Sequence, residues 1–375
     1  MARAVRTLTI GDVVQVLDEI APPQLAQSWD NVGLLAGDRS ARCKRILLCI
    51  DLTPPVLDEA IASNCELIVA YHPPIFRPIA RLLADSPDTD AIVHNAIAAG
   101  IAIYSPHTAL DAAAGGTNDV LAGFCKLTDI EPFEYVQTGP AQSKVVTFVP
   151  EADLEKVASA LFAAGAGRIG EYEQCSYRVR GQGTFFGTEG ANPRVGQRGR
   201  LEFVDEVRIE VVAPNARLPE VIAALRASHP YEEPAFDIYP LTVPPQVGIG
   251  RVGNLPEGTT LGALARTLAR ATKSKVASIV GPAGQEVRRA AVCVGAAGRL
   301  PFEKPRSRDC EVIVTGEIRH HDALTILRRG VTAIALGHWE SERPALSALA
   351  ARIREALPYA ATLISQADVP PFTRV

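Results

Sequence analysis

"RILLCIDLTPPVLDEA" (45–60), "ELIVAYHPPIFRP" (66–78) and "IAIYSPHTALD" (101–111) decide the fold. Each opens with a short, continuously apolar run that ends on polar residues. A helical pattern follows the first run and precedes the third, the alternation expected of βαβ units around a buried, largely parallel sheet. The first run feeds a helix starting at Thr53-Pro54-Pro55, with Thr as N-cap and proline in the first turn, where a missing N–H costs nothing. A helix over 87–99 stops at Gly100 and leads into the third strand. The same style returns late in the chain, in "AAVCVG" (290–295), "EVIVTG" (311–316) and "TAIALG" (332–337), with helices at 259–272, 320–329 and 340–356.

Between these halves the character changes. "SKVVTFVP", a helix from Glu151 to Ala164, a Gly-rich hairpin region, "LEFVDEVRIEVVAP", a helix from Leu218 to Ala227 and "AFDIYPL" follow in order. That succession reads as an independent ferredoxin-like α+β module. The expected organisation is an α/β core whose first part is 1–134 and whose second part is 243–375, with an inserted domain at 135–242.

The 375 residues carry 38 basic and 42 acidic side chains, a formal net charge of −4, with 47% hydrophobic and 21% charged residues. This balance excludes a disordered chain and gives no bulk attraction to nucleic acid or anionic lipid. No apolar run approaches the ~18 residues of a membrane span. Met1 to Asp12 lacks the apolar core of a secretory signal. Seven scattered cysteines form no C-x-x-C pair and sit largely in apolar segments, as buried thiols of a reducing compartment do. A cytoplasmic protein is expected.

The chemistry lies with the histidines. Of the seven, His72, His107, His320, His321 and His338 each follow an apolar strand-like run. Carboxylates share those places: Asp51, Asp111 four positions after His107, Glu317, and Glu342 four positions after His338. Ligands of open parallel sheets bind at the carboxyl ends of the strands. If the chain turns helical at "HWESE", His338 and Glu342 share one face. Converging imidazoles and carboxylates without thiolates suit Zn, Mn, Fe, Co or Ni. Two such ions about 3.5–4 Å apart would activate a water and clamp an anionic oxygen.

Other motifs carry less. "GIGRVG" (248–253) matches the dinucleotide-binding spacing, but the proline-rich "VPPQV" precedes it and no helix follows. "GQGTFFGTEGANPRVGQRGR" (181–200) reads as a solvated turn region, and "HPYEEPAFD" (229–237) as a shaped turn or interface. No G-x-S-x-G elbow, phosphate loop or H-E-x-x-H is present.

"SWDNVGLLAGD" (28–38), "DLTPPVLDEA" (51–60), "YHPPIFRP" (71–78), "IYSPHTALDAAAGGTNDVLA" (103–122), "VTGEIRHHDAL" (314–324) and "GHWESERPAL" (337–346) together resemble the Nif-three family, also known as GTP cyclohydrolase I type 2 homologues and dinuclear-metal proteins. The middle segment looks like the PII/CutA-like insert of its long bacterial branch. The resemblance implies two divalent ions held by His72, Asp111, His338 and Glu342, with Glu342 bridging. It also implies a toroidal homohexamer, a trimer of dimers, capped by trimeric inserts. Many members carry two adjacent histidines before the proline, whereas here the pair is Tyr71-His72. A phenol with pKa near ~10 is a poor ligand, so the second position should be weaker, completed by water or Tyr71, or selective for another ion. Tyr71, His107, Glu317, His320 and His321 are expected around the ligands, orienting them or moving protons. The expected function is metal-dependent hydrolysis of a nucleotide or phosphoester. A metal-delivery or regulatory scaffold, with the insert sensing a small ligand, is the alternative.

Overall fold

The computed structural model describes residues 8–136, 142–242, 245–298 and 300–372. The chain divides into two compact units, Met1–Val136 with Pro245–Val375, and Gln137–Pro244.

The first unit is built on two sheets rather than one. Strands Arg45–Cys49, Leu67–Ala70 and Ala102–Ser105 run parallel at the centre of a five-stranded sheet, flanked by antiparallel Gly33–Ala36 and parallel Ala361–Ile364. Arg289–Cys293, Val312–Thr315 and Thr332–Ala335 are the parallel heart of a six-stranded sheet, which Arg251–Asn254, Thr128–Glu131 and Ser278–Val280 extend with antiparallel pairings. Each sheet borrows one strand from the far end of the chain. Ala361–Ile364 pairs with Arg45–Cys49, and Thr128–Glu131 with Arg251–Asn254. The two halves are thereby interlocked.

Both faces of the first sheet are covered, which is why its strands read as unbroken apolar runs. Ile46, Leu48, Leu67 and Val69 pack against Val13, Leu17, Leu349 and Ile353 of helices Ile10–Ile20 and Ala345–Ala356. Leu47, Cys49, Ile68 and Ala70 pack against Val56, Leu57, Val93 and Ala96 of helices Pro54–Ala62 and Thr89–Ala98. Each buried Val, Leu or Ile among these contributes about 1.5–3 kcal/mol against exposure. Thr53 does hold the N-cap position of Pro54–Ala62, but its side chain makes no capping bond. Six of the seven thiols are buried and all are free.

The second unit is a four-stranded antiparallel sheet with two helices. Gln142–Val149, helix Leu154–Ala163, Tyr177–Phe186, Leu201–Pro214, helix Leu218–Ser228 and Phe236–Leu241 follow in chain order. Across the sheet the first strand lies between the last and the third, with the second at the edge. The segment read as a turn region from 181 is strand as far as Phe186, paired residue by residue with Leu201–Glu206. Gly181 and Gly183 lie within that ladder.

"GIGRVG" has a structural explanation. Gly250 sits at φ +58, and a Cβ there would lie 1.8 Å from the Phe133 ring. The neighbouring Arg251 is buried, paired with Asp119 through Nε and Nη2, and donates to the Gly248, Gly250 and Ala113 carbonyls. Among the described residues no helix is long and apolar enough to cross a membrane.

Candidate metal centre

The carboxyl ends of the two parallel sheets supply the site. From the first sheet come Asp51 after Arg45–Cys49, Tyr71 and His72 after Leu67–Ala70, and His107 after Ala102–Ser105. From the second come Gly295 after Arg289–Cys293, Glu317 after Val312–Thr315, and His338 after Thr332–Ala335. His338–Glu342 is one short helix, so the four-residue spacing turns both side chains to one face.

At the centre lies the Glu342 carboxylate, 3% exposed. His338 Nε2 is 3.2 Å from Oε1 and His72 Nε2 is 3.3 Å from Oε2. One donor atom from each of the three residues falls within a 4.8 Å group able to hold a cation. Oε2 is buried with no well-aligned hydrogen-bond donor, which leaves a lone pair aimed into that group.

Each imidazole is anchored from behind. His72 Nδ1 lies 2.9 Å from Asp51 Oδ1, and His338 Nδ1 lies 2.9 Å from Glu317 Oε1. A carboxylate on Nδ1 fixes the tautomer and turns the Nε2 lone pair inward, the usual outer arrangement of a metal-binding histidine. Gly295, at φ +63, completes the cradle: a Cβ there would sit 2.5 Å from Glu342 Oε1 and 3.3 Å from His338 Nε2. Ser341 Oγ accepts from Gly295 N at 2.9 Å and donates to the His338 carbonyl, tying that backbone to the short helix.

The two imidazoles and the carboxylate shift one another's proton affinity. Burial lowers the His72 pKa, but its hydrogen bond to Asp51 and the nearby charges of Glu342 and Asp51 outweigh it and raise the group to about 10. His338 is raised chiefly by its hydrogen bond to Glu342. Burial pushes Glu342 up, yet the two imidazoles hold it below the usual carboxylate range. A divalent cation would compete with protons for these groups. The donor set and the buried, unaligned oxygen fit such an ion.

Asp111 stands one step away. Its Oδ1 accepts the Tyr71 phenol at 2.5 Å, and burial followed by the Glu342 charge brings its pKa to about 6. Tyr71 itself is raised well above the ordinary phenol value by burial and then by the charge of Asp111, so it acts as a neutral donor. His107 packs edge-on to Tyr71 and His72, with ring centroids 5.5 and 5.3 Å apart. It occupies a φ of +20, a strained value that persists where the surroundings enforce it. Asp30 does so, accepting from His107 Nδ1 at 2.8 Å and from Thr108 N and Oγ1. His320 and His321 begin helix His320–Arg328, exposed and in contact with each other at 5.4 Å, outside the His72–His338–Glu342 group.

Sequence reasoning did not single out three contributors. Asp30 lay within a recognised motif but far from any histidine in sequence, Gly295 carries no side chain to notice, and Asp368 acts across more than 300 residues. Asp368 accepts from Ile50 N and Asp51 N.

Relatives match this chain over about nine tenths of its length. A "GTP cyclohydrolase 1 type 2 homolog" of Mycobacterium tuberculosis is 40% identical over 344 residues, 90% of this chain and 89% of the relative. One of the same name from Bacillus subtilis is 36% identical over 328 residues, 87% of each. A Bacillus cereus protein described as related to NIF3 superposes with a TM-score of 0.79 at 32% identity, covering 98% of this chain and 99% of that one. A Staphylococcus aureus crystal structure gives 0.83 at 26% identity, covering 99% and 100%. Residues 8–370, which include both sheets, the insert and every residue of the site, match the family described as Duf34/NIF3 (NGG1p interacting factor 3), and the chain belongs to that family.

Proposed function

We propose that this protein is a divalent-cation-dependent hydrolase acting on a nucleotide or another small phosphoester. The observation that carries the reading is the pair of imidazole Nε2 atoms flanking the buried Glu342 carboxylate, each ring anchored through Nδ1 by an outer carboxylate. In this reading His72, His338 and Glu342 would hold one cation among Zn, Fe, Mn, Co or Ni. Asp111, with Glu342, would contribute to a second. Bound cations of this kind supply Lewis acidity toward a phosphoryl or carbonyl oxygen and acidify water near neutrality.

The chain's own residues do the rest. Asp51 and Glu317 hold the rings in register, so the Nε2 lone pairs need no reorganisation. His107, its Nδ1 committed to Asp30, keeps Nε2 for moving a proton. The Tyr71 phenol competes with coordination at Asp111, which makes the second cation the more weakly held.

The names of the relatives support a hydrolytic, nucleotide-directed role, and the family resemblance supports a cytoplasmic homohexamer. For the insert, the β-α-β-β-α-β succession and the strand order support a ferredoxin-like, PII/CutA-like domain. The test is a screen of the metal-loaded protein against nucleotides and phosphoesters, in which Asp111→Ala and Glu342→Ala should abolish turnover. Stoichiometric, reversible metal transfer without turnover would replace the hydrolase with a metal carrier.

A further inference from the structure

Two aromatic rings beside the metal centre are left in solvent. Trp29 is 58% exposed and Phe76 48% exposed. Their centroids lie 5.9 Å apart with planes tilted by 58°. Trp29 also meets His107 edge-on at 6.0 Å, and His107 meets His72 at 5.3 Å. A short run of rings thus leads from the open surface to the cation-binding group.

The exposed indole is held in place. Next to it, Asp30 grips His107 Nδ1 together with Thr108 N and Oγ1. Asn31 Nδ2 donates to the Ile75 carbonyl at 2.5 Å, tying the Trp29 loop to the segment that carries Phe76. Burying an indole removes some 150–250 Å² of surface from water, and a pre-positioned ring loses little entropy when it binds. Two rings offer the area of one heterocycle. A protein-docking face would need several hundred Å² of continuous apolar surface.

We infer that Trp29 and Phe76 form a stacking subsite for a planar nucleobase whose phosphate end reaches the metal centre past His107. The inference deepens the hydrolase reading and rests on it. Stacking on aromatic side chains is tolerant of base identity because every base offers a π-face. Specificity for one base would have to come from other contacts.

The test uses the full-length, metal-loaded protein, with GMP and AMP as probes and ribose 5-phosphate as the base-free control. Calorimetry on Trp29→Ala should show nucleotide affinity lowered about 5- to 100-fold, with ribose 5-phosphate binding and metal content unchanged. Trp29→Phe should recover most of the loss. GMP should quench the Trp29 share of the indole fluorescence, read as the difference between the parent and Trp29→Ala, and ribose 5-phosphate should not. The inference is overturned if Trp29→Ala binds GMP like the parent, if GMP binds no tighter than ribose 5-phosphate, or if Trp29→Ala changes the sedimenting mass, which would make the rings a subunit contact. Absence of bound metal in the parent would instead defeat the hydrolase reading, and this subsite with it.

Discussion

The Asp368 carboxylate and the Arg343 guanidinium form a buried ion pair, Arg343 Nη1 donating to Asp368 Oδ2 at 2.9 Å with the Asp368 side chain wholly out of solvent. The same carboxylate accepts from Ile50 N at 2.7 Å and from Trp339 Nε1 at 3.1 Å. One side chain near the end of the chain therefore fixes both the strand end beside Asp51 and the helix that carries His338 and Glu342. Asp368→Ala takes from the half-buried Arg343 its carboxylate partner and leaves Ile50 N and Trp339 Nε1 without their acceptor, so urea unfolding should show a loss of about 3 kcal/mol. A loss under about 1 kcal/mol would mean that solvent or another group takes over the pairing.

The outer carboxylates make a cleaner functional probe, because they touch no cation themselves. Asp51→Asn and Glu317→Gln should each lower divalent-metal affinity about 10- to 100-fold while leaving the circular dichroism spectrum unchanged. Competition against a chromophoric chelator reads the affinity. Unaltered affinity in both variants would show that ring orientation is set elsewhere.

Gly295 and Gly298 provide a matched pair. Both hold positive φ, +63 and +58, but only at Gly295 would a Cβ strike Glu342 Oε1, at 2.5 Å. Alanine at either position should cost about 1 kcal/mol or more through the backbone. Only Gly295→Ala should also strip bound metal, measured by elemental analysis after dialysis.

In the insert, His229 supplies a pH dependence of its own. Its Nε2 lies 3.0 Å from the Phe148 carbonyl and its Nδ1 accepts from Tyr231 N at 3.1 Å, so the native ring is the neutral Nε2–H tautomer. Burial lowers its pKa below the ordinary histidine value. The unfolded chain then binds the proton more readily, and stability falls as pH drops through the unfolded value and on through the folded one. Thermal unfolding followed from pH 8 to pH 5 should show this decline, and His229→Gln should lessen it. An unchanged slope would exclude His229 as its source.

What the sequence disclosed was local. The apolar runs at 45–49, 67–70, 290–293 and 312–315 announced buried parallel strands because both faces are covered, and the histidines behind such runs marked the carboxyl edge. The division into two sheets was hidden. Ala361–Ile364 and Thr128–Glu131 are short, and Thr128–Glu131 is polar, and each owes its place to a partner strand more than 100 residues away. Asp30 and Asp368 were hidden for the same reason: the groups they bind, His107 and Ile50, become neighbours only when the chain has folded. Tyr71 could be flagged in place of a histidine, but only the structure showed its hydroxyl committed to Asp111.

The central claim is that an imidazole from one sheet edge shares a cation with an imidazole and a buried carboxylate from the other. Elemental analysis of protein purified without chelator tests it most directly, comparing the parent chain with Glu342→Gln, His338→Ala and, as a control on helix Thr89–Ala98, His94→Ala. The parent and His94→Ala should retain about one to two divalent ions per chain, as a dinuclear site does when its second position is weaker. Glu342→Gln and His338→Ala should retain far less. Equal metal in all four proteins, or none in the parent after metal-replete growth, would contradict the account.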